Sequence, residues 1–222
     1  MSIVLYQMSH SPYAIPVRQA LTACGVEFAT KEVPNSDRSE IIHLTKGAYY
    51  QVPVLVHGDR VVFENAGDSL DVARYVDTTW AEGRLFPKAV EAANLCLTEW
   101  LEDAVEARTF KLADIHYVPA IEDLVARTMV IRHKERRFGR GCLAQWTRDA
   151  ATIRAELDAL LTRCEATLRR SAFLLGPSPV YADFALYGVL GNLCHRGWNE
   201  LSKDQSGLRD FVTRLEAWRF TS

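Results

Sequence analysis

The order of strand and helix patterns in the first third of the chain constrains the fold more than any other feature. Residues 2–6 are apolar and rich in β-branched side chains, which predicts a buried strand. A helical spacing of apolar residues follows over residues 11–24, and Gly25 is typical of a helix end. Residues 26–33 begin with an alternating pattern and predict a second strand. A strand, a helix and a strand joined by such short connections predict a parallel βαβ unit.

Further elements follow with equally short connections. Residues 36–46 predict a short polar helix. Two apolar runs at residues 52–56 and 60–63 flank a His-Gly-Asp turn, which predicts a β-hairpin. A last helix is predicted over residues 68–77. The order β-α-β-α-β-β-α describes a compact α/β domain, which we place at residues 1–78.

The rest of the chain carries only helical patterns. Gly83 and Pro87 interrupt the periodicity, so residues 79–87 are interpreted as a linker that precedes an all-α domain over residues 88–222. Residues 181–193 are apolar nearly all round, which predicts the central buried helix of that domain. The other predicted helices lie at residues 88–111, 118–136, 149–170 and 207–219.

Composition and charge argue against several classes of protein. The formal net charge of -2 gives no overall attraction to nucleic acid, and the basic run at residues 131–141 is interpreted as a solvated helix end. No apolar run approaches the length of a membrane helix, and no signal peptide is visible, so no membrane partner is expected. The five cysteines are dispersed and odd in number, and the six histidines show no metal-ligand spacing. We therefore expect a cytoplasmic protein with reduced thiols and no bound metal.

The junction between the first strand and the first helix is a candidate functional site. It places Ser11 at the N-cap and Pro12 at the first helical position, which is a strong helix start on its own. The same hydroxyl and the N–H groups of the helix start could also hold an anion. From this stretch alone, the capping role and the anion site both remain open.

Two further loops favour the anion site. A proline at the start of a strand is unusual, and a cis peptide at Val52-Pro53 would leave the N–H and C=O groups of Val52 free for an extended peptide ligand. At the next helix start, Ser69 can hold a carboxylate with the help of backbone N–H groups, while Asp68 can hold an ammonium group. Since the topology brings the three loops to one edge of the sheet, together they match the head group of an amino acid.

These residues lie in motifs that are shared with a known family. The chain resembles the cytosolic glutathione transferase superfamily over nearly its whole length, in the segments HSPYAIPVR, QVPVL, DSLDVARYVD and PVYADFALYG. The resemblance implies an α/β thioredoxin-like N-terminal domain that binds glutathione, followed by an all-α C-terminal domain that supplies an electrophile pocket. The pattern P-x-YAD followed by an aromatic residue is similar to the β-etherase-like branch. We expect Asp183 in this motif to be structural and to accept backbone N–H bonds near the helix start.

The resemblance also assigns roles to the first two loops. Ser11 falls where serine-type members keep the hydroxyl that activates the glutathione thiol, and Ser9 is its rival two residues earlier. His10 lies between them and is interpreted as an exposed loop histidine. Val52 and Pro53 correspond to the family's glutathione-binding strand with its cis proline.

The family's acid-serine pair, which binds the γ-glutamyl group, has two possible registers in this chain. Asp68 and Ser69 are favoured because they keep both an acid and a hydroxyl. Glu64 and Asn65 are the alternative.

The activity that the resemblance implies is glutathione transfer. Glutathione is the co-substrate, and its thiolate attacks a small hydrophobic electrophile, for which an aryl ether is one candidate. A role in detoxification and a homodimer follow from the same resemblance. The side chains predicted for the electrophile pocket are Tyr13, Trp100, Phe110, His116 and Tyr117. Two alternatives remain open: an isomerase or dehalogenase that returns glutathione unchanged, and a non-catalytic binding protein with the transferase fold.

Overall fold

The apolar run near the N-terminus forms an inner strand of a four-stranded sheet. The computed structural model describes residues 2–65 and 70–220. The strands are β1 (Ile3–Gln7), β2 (Ala29–Glu32), β3 (Val54–His57) and β4 (Arg60–Val62), in the sheet order β2-β1-β3-β4. Strand β1 is parallel to β2 and antiparallel to β3, and β3 is antiparallel to β4. The predicted βαβ unit and the predicted hairpin are confirmed.

Three helices accompany the sheet. They are α1 (Ala14–Ala23), α2 (Ser39–Leu44) and α3 (Asp71–Val76). The first two are shorter than predicted, whereas a π-helical turn at Asp77–Ala81 extends α3 past its predicted end into the predicted linker. A turn precedes the regular part of α1, in which the N–H of Ile15 donates to the C=O of Ser11 at 3.1 Å. Gly25 follows the helix with a φ of 67°, a conformation that favours glycine, so the predicted helix stop is confirmed.

The second part of the chain is built from longer helices. They are α4 (Glu91–Trp100), α5 (Ala107–Tyr117), α6 (Leu124–Phe138), α7 (Cys142–Leu168), α8 (Tyr181–Leu193) and α9 (Ser206–Ala217). A π-helical turn at Leu101–Glu106 joins α4 and α5 into one run. This run passes the predicted end at residue 111 because no proline or glycine interrupts it before Pro119. Helix α7 begins earlier than the predicted residue 149, directly after Gly139 and Gly141, which both have positive φ and separate it from α6.

Helix α8 is the buried centre of the helical region, as its apolar sequence predicts. A Cβ added at Gly188 would lie 2.3 Å from the C=O oxygen of Pro12, so only glycine allows this approach of α8 to the loop before α1. In the first turn of α8, the buried carboxylate of Asp183 accepts hydrogen bonds from the N–H groups of Leu174 (2.8 Å) and Val180 (2.9 Å). The structural role expected for Asp183 is confirmed.

The predicted linker at residues 79–87 is built into the core. The N–H of the fully buried Leu85 donates to Oδ1 of Asp77 at 2.8 Å. The C=O of Leu85 accepts hydrogen bonds from the N–H of Tyr181 and from Nδ2 of Asn94, both at 2.9 Å. One continuous cluster of buried apolar side chains extends from the sheet to α9 past this segment. The division of the chain into two domains at these residues stays a prediction.

The predictions on disulfides, membrane helices and metal sites can be compared with the described residues. All five cysteines are free, and burial raises the pKa of Cys24 to about 11 and that of Cys164 to about 12. No helix in the described part of the chain combines the length and the apolar character that a membrane crossing needs. Within residues 2–65 and 70–220, no cluster of three or more His, Cys, Asp and Glu side chains has the arrangement of a metal site.

Candidate active site

The side chain of Ser11 lies where β1 leads into α1. A tight turn closes after the strand, in which the N–H of Ser11 donates to the C=O of Met8 at 2.8 Å. The Oγ atom of Ser11 accepts hydrogen bonds from the N–H groups of Tyr13 (3.3 Å) and Ala14 (3.2 Å), which is the geometry of a helix cap. The residue is only 3% exposed. Ser11 therefore caps the turn that leads into α1, whereas the N-cap residue of the regular helix is Tyr13 and not Ser11 as predicted.

The cap leaves the hydroxyl proton of Ser11 unused. Among the hydrogen bonds of the described residues, Ser11 Oγ accepts two and donates none. A hydroxyl has one donor in addition to its acceptor lone pairs. The two N–H groups that donate to the oxygen also polarise it, which strengthens the remaining O–H donor. Ser11 can therefore cap the helix and donate to an anion at the same time.

Strand pairing brings the segment before β3 to the same place. Because β1 and β3 are antiparallel neighbours with Tyr6 opposite Val54, the end of β1 lies beside the start of β3. The Val52-Pro53 peptide directly before β3 is cis, and Pro53 is buried. Ser11 and Val52 line one cavity of about 320 Å³, which is within the range of small-molecule sites.

Arg38 brings a partly unsatisfied guanidinium group to this cavity. Its Nη2 donates to Oδ1 of Asn35 at 2.7 Å and contacts Sδ of Met8 at 3.4 Å. Its Nη1 is buried and has no hydrogen-bond partner in the described part of the chain. A buried N–H donor without a partner is costly, so an anionic ligand would be stabilised here. The sequence offers no signal for Arg38, because it is one of several charged residues at the start of a polar helix.

Helix α6 contributes basic side chains to the same cavity. Lys134 is only 17% exposed and forms an ion pair with Asp114 of α5. Arg136 and Arg137 line the cavity as well. The interpretation of residues 131–141 as a solvated helix end is therefore wrong for Lys134, which is mostly shielded from solvent at the cavity, where it pairs with Asp114.

The π-helical turn contributes a carboxyl group. Glu106 is the last residue of that turn and lines the cavity together with Tyr13. Burial raises the pKa of Glu106 to about 7, although the Lys134 and Arg137 cations act in the opposite direction. The cavity thus contains an acid that exchanges its proton near neutral pH. No sequence signal points to Glu106, because its burial depends on the packing of distant segments.

Comparisons with known proteins show a similarity to glutathione transferases in the first part of the chain. Residues 5–83 match the family model described as "Glutathione S-transferase, N-terminal domain". The first part of the chain is therefore similar to the glutathione-binding domain of glutathione transferases. Glutathione S-transferase U28 of Arabidopsis thaliana is 28% identical over 109 residues, which cover 49% of this chain and 47% of that protein. The chain thus spans about half the length of the curated relatives that it matches.

Solved structures of the superfamily share the fold over the whole chain. The glutathione S-transferase CsGST63524 of Ceriporiopsis subvermispora, in complex with glutathione, has a TM-score of 0.80 at 16% identity, covering 100% of this chain and 99% of that chain. The β-etherase LigF from Sphingobium sp. strain SYK-6 has a TM-score of 0.66 at 17% identity, with coverages of 98% and 93%. The predicted glutathione transferase fold, a thioredoxin-like α/β part followed by helices, is confirmed.

The two serines predicted as rivals for the thiol-activating role lie in different cavities. Ser11 shares its cavity with Val52. Ser9 lines a neighbouring pocket of about 240 Å³, and its N–H donates to Oε2 of Glu32 at 2.9 Å. The preference for Ser11 stays a prediction, and its position beside Val52 supports it.

The two registers of the transferase acid-serine pair remain predictions. Asp68 and Ser69 lie outside the described residues. The Glu64 carboxylate accepts a hydrogen bond from the hydroxyl of Tyr49 at 2.7 Å. Neither Glu64 nor Asn65 lines the cavity that contains Ser11.

The structure brings two of the five predicted electrophile-pocket residues to this cavity. Tyr13 and Phe110 line it. Tyr117 lines the neighbouring pocket with Ser9, and Trp100 lines an apolar groove against α7. His116 is exposed on α5. The helical pattern could not separate these positions, because α6 closes the cavity and its packing is not encoded in the spacing of α4 and α5.

The prediction of an exposed loop histidine at His10 is wrong. Its ring centre lies 4.2 Å from that of Tyr117 and 5.7 Å from that of His195. Burial, followed by the proximity of His195, lowers the pKa of His10 to about 4, so the ring is neutral at physiological pH. The C=O of His10 accepts a hydrogen bond from Nδ2 of Asn192 at 2.7 Å, which ties the Ser11 loop to α8.

Proposed function

We propose that this protein is a glutathione transferase in which the Ser11 hydroxyl donates a hydrogen bond to the thiolate of glutathione. Val52 and Pro53, with Asp68 and Ser69, hold the tripeptide, and the activated sulfur attacks a small hydrophobic electrophile, aryl ethers included. The observation that carries the proposal is the Ser11 hydroxyl, whose oxygen is held by two N–H groups while its proton stays available inside the cavity. The similarity to glutathione transferases supports glutathione as co-substrate, a homodimer and a cytoplasmic location.

The Ser11 hydroxyl can supply much of the activation. The glutathione thiol resembles free cysteine, whose pKa is about 8.5, so only a few per cent is thiolate at neutral pH. A hydrogen bond to a charged group contributes about 1.5–3 kcal/mol, and the N-terminus of α1 adds about 0.3–1 kcal/mol. Since one pKa unit corresponds to about 1.36 kcal/mol, the bound thiol should have a pKa lowered by about one to three units. With a shift of about two units or more, most of the bound glutathione would be thiolate at neutral pH.

Arg38 supports a ligand with carboxylates. Its buried Nη1 has no partner among the described residues, and it lines the cavity together with Val52. Glutathione carries two carboxylates, and a charge-assisted hydrogen bond to one of them would satisfy this donor.

Glutathione binding and the titration of the bound thiol test the proposal. Calorimetry should show saturable binding of glutathione to the wild-type protein, and ultraviolet absorbance of the thiolate should show the lowered pKa. Ser11→Gly should keep the binding and return the thiol pKa toward its free value. Glycine is chosen because at an N-cap it costs only a few tenths of a kcal/mol, whereas alanine costs about 1 kcal/mol.

Two controls isolate the hydroxyl of Ser11. Ser9→Ala removes the rival hydroxyl, which lies in the neighbouring pocket, and Tyr13→Phe removes the phenol of the same loop. Both should keep the wild-type thiol pKa. No saturable binding at millimolar glutathione would refute the transferase function and favour a non-catalytic binding protein. A thiol pKa that Ser11→Gly leaves lowered would refute the role of Ser11.

A further inference from the structure

The cavity contains a carboxyl group that the activation of glutathione does not use. Glu106 ends the π-helical turn Leu101–Glu106 and lines the cavity together with Ser11 and Tyr13. Turns of this kind are frequent at functional sites. In the described part of the chain, no hydrogen bond or ion pair uses the Glu106 carboxylate. The pKa of Tyr13 is raised, first by burial and second by the negative charge of Glu106. Tyr13 therefore remains a neutral phenol next to Glu106.

Charged groups from three elements surround Glu106. Helix α6 contributes Lys134 and Arg137, which favour the carboxylate, whereas Asp114 of α5 and Glu102 of the same turn oppose ionisation. Burial has the largest influence and raises the pKa of Glu106 to about 7. A carboxyl group with a pKa near neutral pH is suited to general acid catalysis, because the acid form persists where a free carboxyl group would be ionised.

We propose that Glu106 is the proton donor of this site and that the second substrate is an electrophile whose carbon–oxygen bond breaks, an epoxide or an aryl ether. This inference rests on the proposed transferase function. The glutathione sulfur forms a bond to carbon, the carbon–oxygen bond breaks with its electron pair moving to oxygen, and the Glu106 carboxyl gives its proton to that oxygen. The proton that the glutathione thiol releases on ionisation returns to the Glu106 carboxylate through solvent. An alkyl chloride needs no such donor, because chloride leaves as a stable anion.

Benzyl chloride and styrene oxide are a matched pair of probes, because glutathione can attack a benzylic carbon in both and the leaving atom differs. Proton transfer from a positioned side chain typically contributes about 10²–10⁴-fold. We expect Glu106→Gln, which keeps the shape and removes the acid, to lower the ratio of styrene oxide turnover to benzyl chloride turnover at least about tenfold. The matched control is Asp103→Asn, which changes an exposed carboxylate of the same turn and should leave the ratio as in the wild type.

The pH profile separates proton donation from a structural role. The acid form of Glu106 is lost as the pH rises above about 7, whereas the thiolate of glutathione is gained as the pH rises. Wild-type turnover of styrene oxide should therefore pass through a maximum near neutral pH, while turnover of benzyl chloride should rise to a plateau. Glu106→Gln should remove the descending limb with styrene oxide.

The outcomes distinguish this proposal from the one on which it rests. An unchanged ratio in Glu106→Gln, or turnover of benzyl chloride without turnover of styrene oxide, would overturn the role of Glu106 and leave the transferase function intact. No turnover of either probe would also overturn it. Only a failure to bind glutathione, measured separately, would overturn the transferase function.

Discussion

Replacing Gly188 by alanine is expected to destabilise the fold and to disturb the cavity in a single step. Gly188 lies inside α8, where this helix touches the loop before α1. The added Cβ would lie 2.3 Å from the C=O oxygen of Pro12 and 2.5 Å from Cγ of Pro16. Since real Cβ atoms essentially never come closer than 3.0 Å to another heavy atom, these groups must separate by about 0.7 Å. Pro12 directly follows Ser11, so the displacement reaches the hydroxyl in the cavity.

Two opposing contributions set the magnitude of the effect of Gly188→Ala. Overpacking costs about 1–3 kcal/mol, and the upper end applies because the contacted atoms belong to the backbone and to a proline ring. Alanine is more favourable than glycine inside a helix by about 0.8–1 kcal/mol. The free energy of unfolding should therefore fall by about 2 kcal/mol, which lowers Tm by about 4–8 °C in a chain of this size.

Gly191→Ala is the matched control on the same helix. Its Cβ would lie 3.1 Å from Cδ1 of Ile15, the end of a side chain that can adjust, so the same gain in helix propensity meets a milder contact. Urea denaturation should find Gly191→Ala close to the wild type and Gly188→Ala less stable. Calorimetry should find glutathione binding weakened severalfold in Gly188→Ala alone. Equal stability of the two variants would refute the conclusion that the contact with Pro12 restricts this position to glycine.

Two further substitutions test other contacts of the site and the core. Arg38→Ala should raise the Kd for glutathione about tenfold to a hundredfold, which corresponds to the loss of one charge-assisted hydrogen bond. Arg38→Lys should give a Kd between those of the wild type and Arg38→Ala. An unchanged Kd in calorimetry would show that Arg38 does not bind the ligand. Asp183→Ala leaves the N–H groups of Leu174 and Val180 without an acceptor, and each unsatisfied buried donor costs about 1–3 kcal/mol. The free energy of unfolding should therefore fall by about 2–6 kcal/mol. The exposed Asp103→Ala should change it by less than about 0.5 kcal/mol, and similar losses in both variants would contradict the role of Asp183.

Elements with one dominant pattern could be predicted from the sequence. The bounds of α8 coincide with the predicted residues 181–193, because a segment that is apolar nearly all round is typical of a buried helix. The boundaries inside longer helical stretches could not be predicted as well. The run from α4 to α5 extends to Tyr117, beyond the predicted end at residue 111, because no proline or glycine interrupts it before Pro119. The start of α7 depends on Gly139 and Gly141, whose positive φ values are not visible in the spacing of apolar residues.

The candidate site could be predicted where local chemistry decides it. Ser11 is recognisable because a serine before a proline caps a helix, and this cap is also what leaves its proton available. Arg38 and Glu106 could not be found in this way. The cavity that surrounds both residues is lined by segments far away from them in the sequence, such as α6, whose Lys134 pairs with Asp114 and lines the cavity.

The hydrogen bonds that the Leu85 carbonyl accepts have a consequence for the unfolding of the protein. Its donors come from Tyr181 at the start of α8 and Asn94 in α4, and one apolar cluster continues past it into the sheet. A fragment that ended after Leu85 would expose the face of α1 that α8 covers, and the complementary fragment, which would lack the Leu85 carbonyl, would leave both donors unpaired. We therefore expect both halves to unfold in one cooperative transition. The two parts that the sequence pattern distinguishes are then one folding unit. A chimaera that exchanges the first half needs an α1 surface that is complementary to α8.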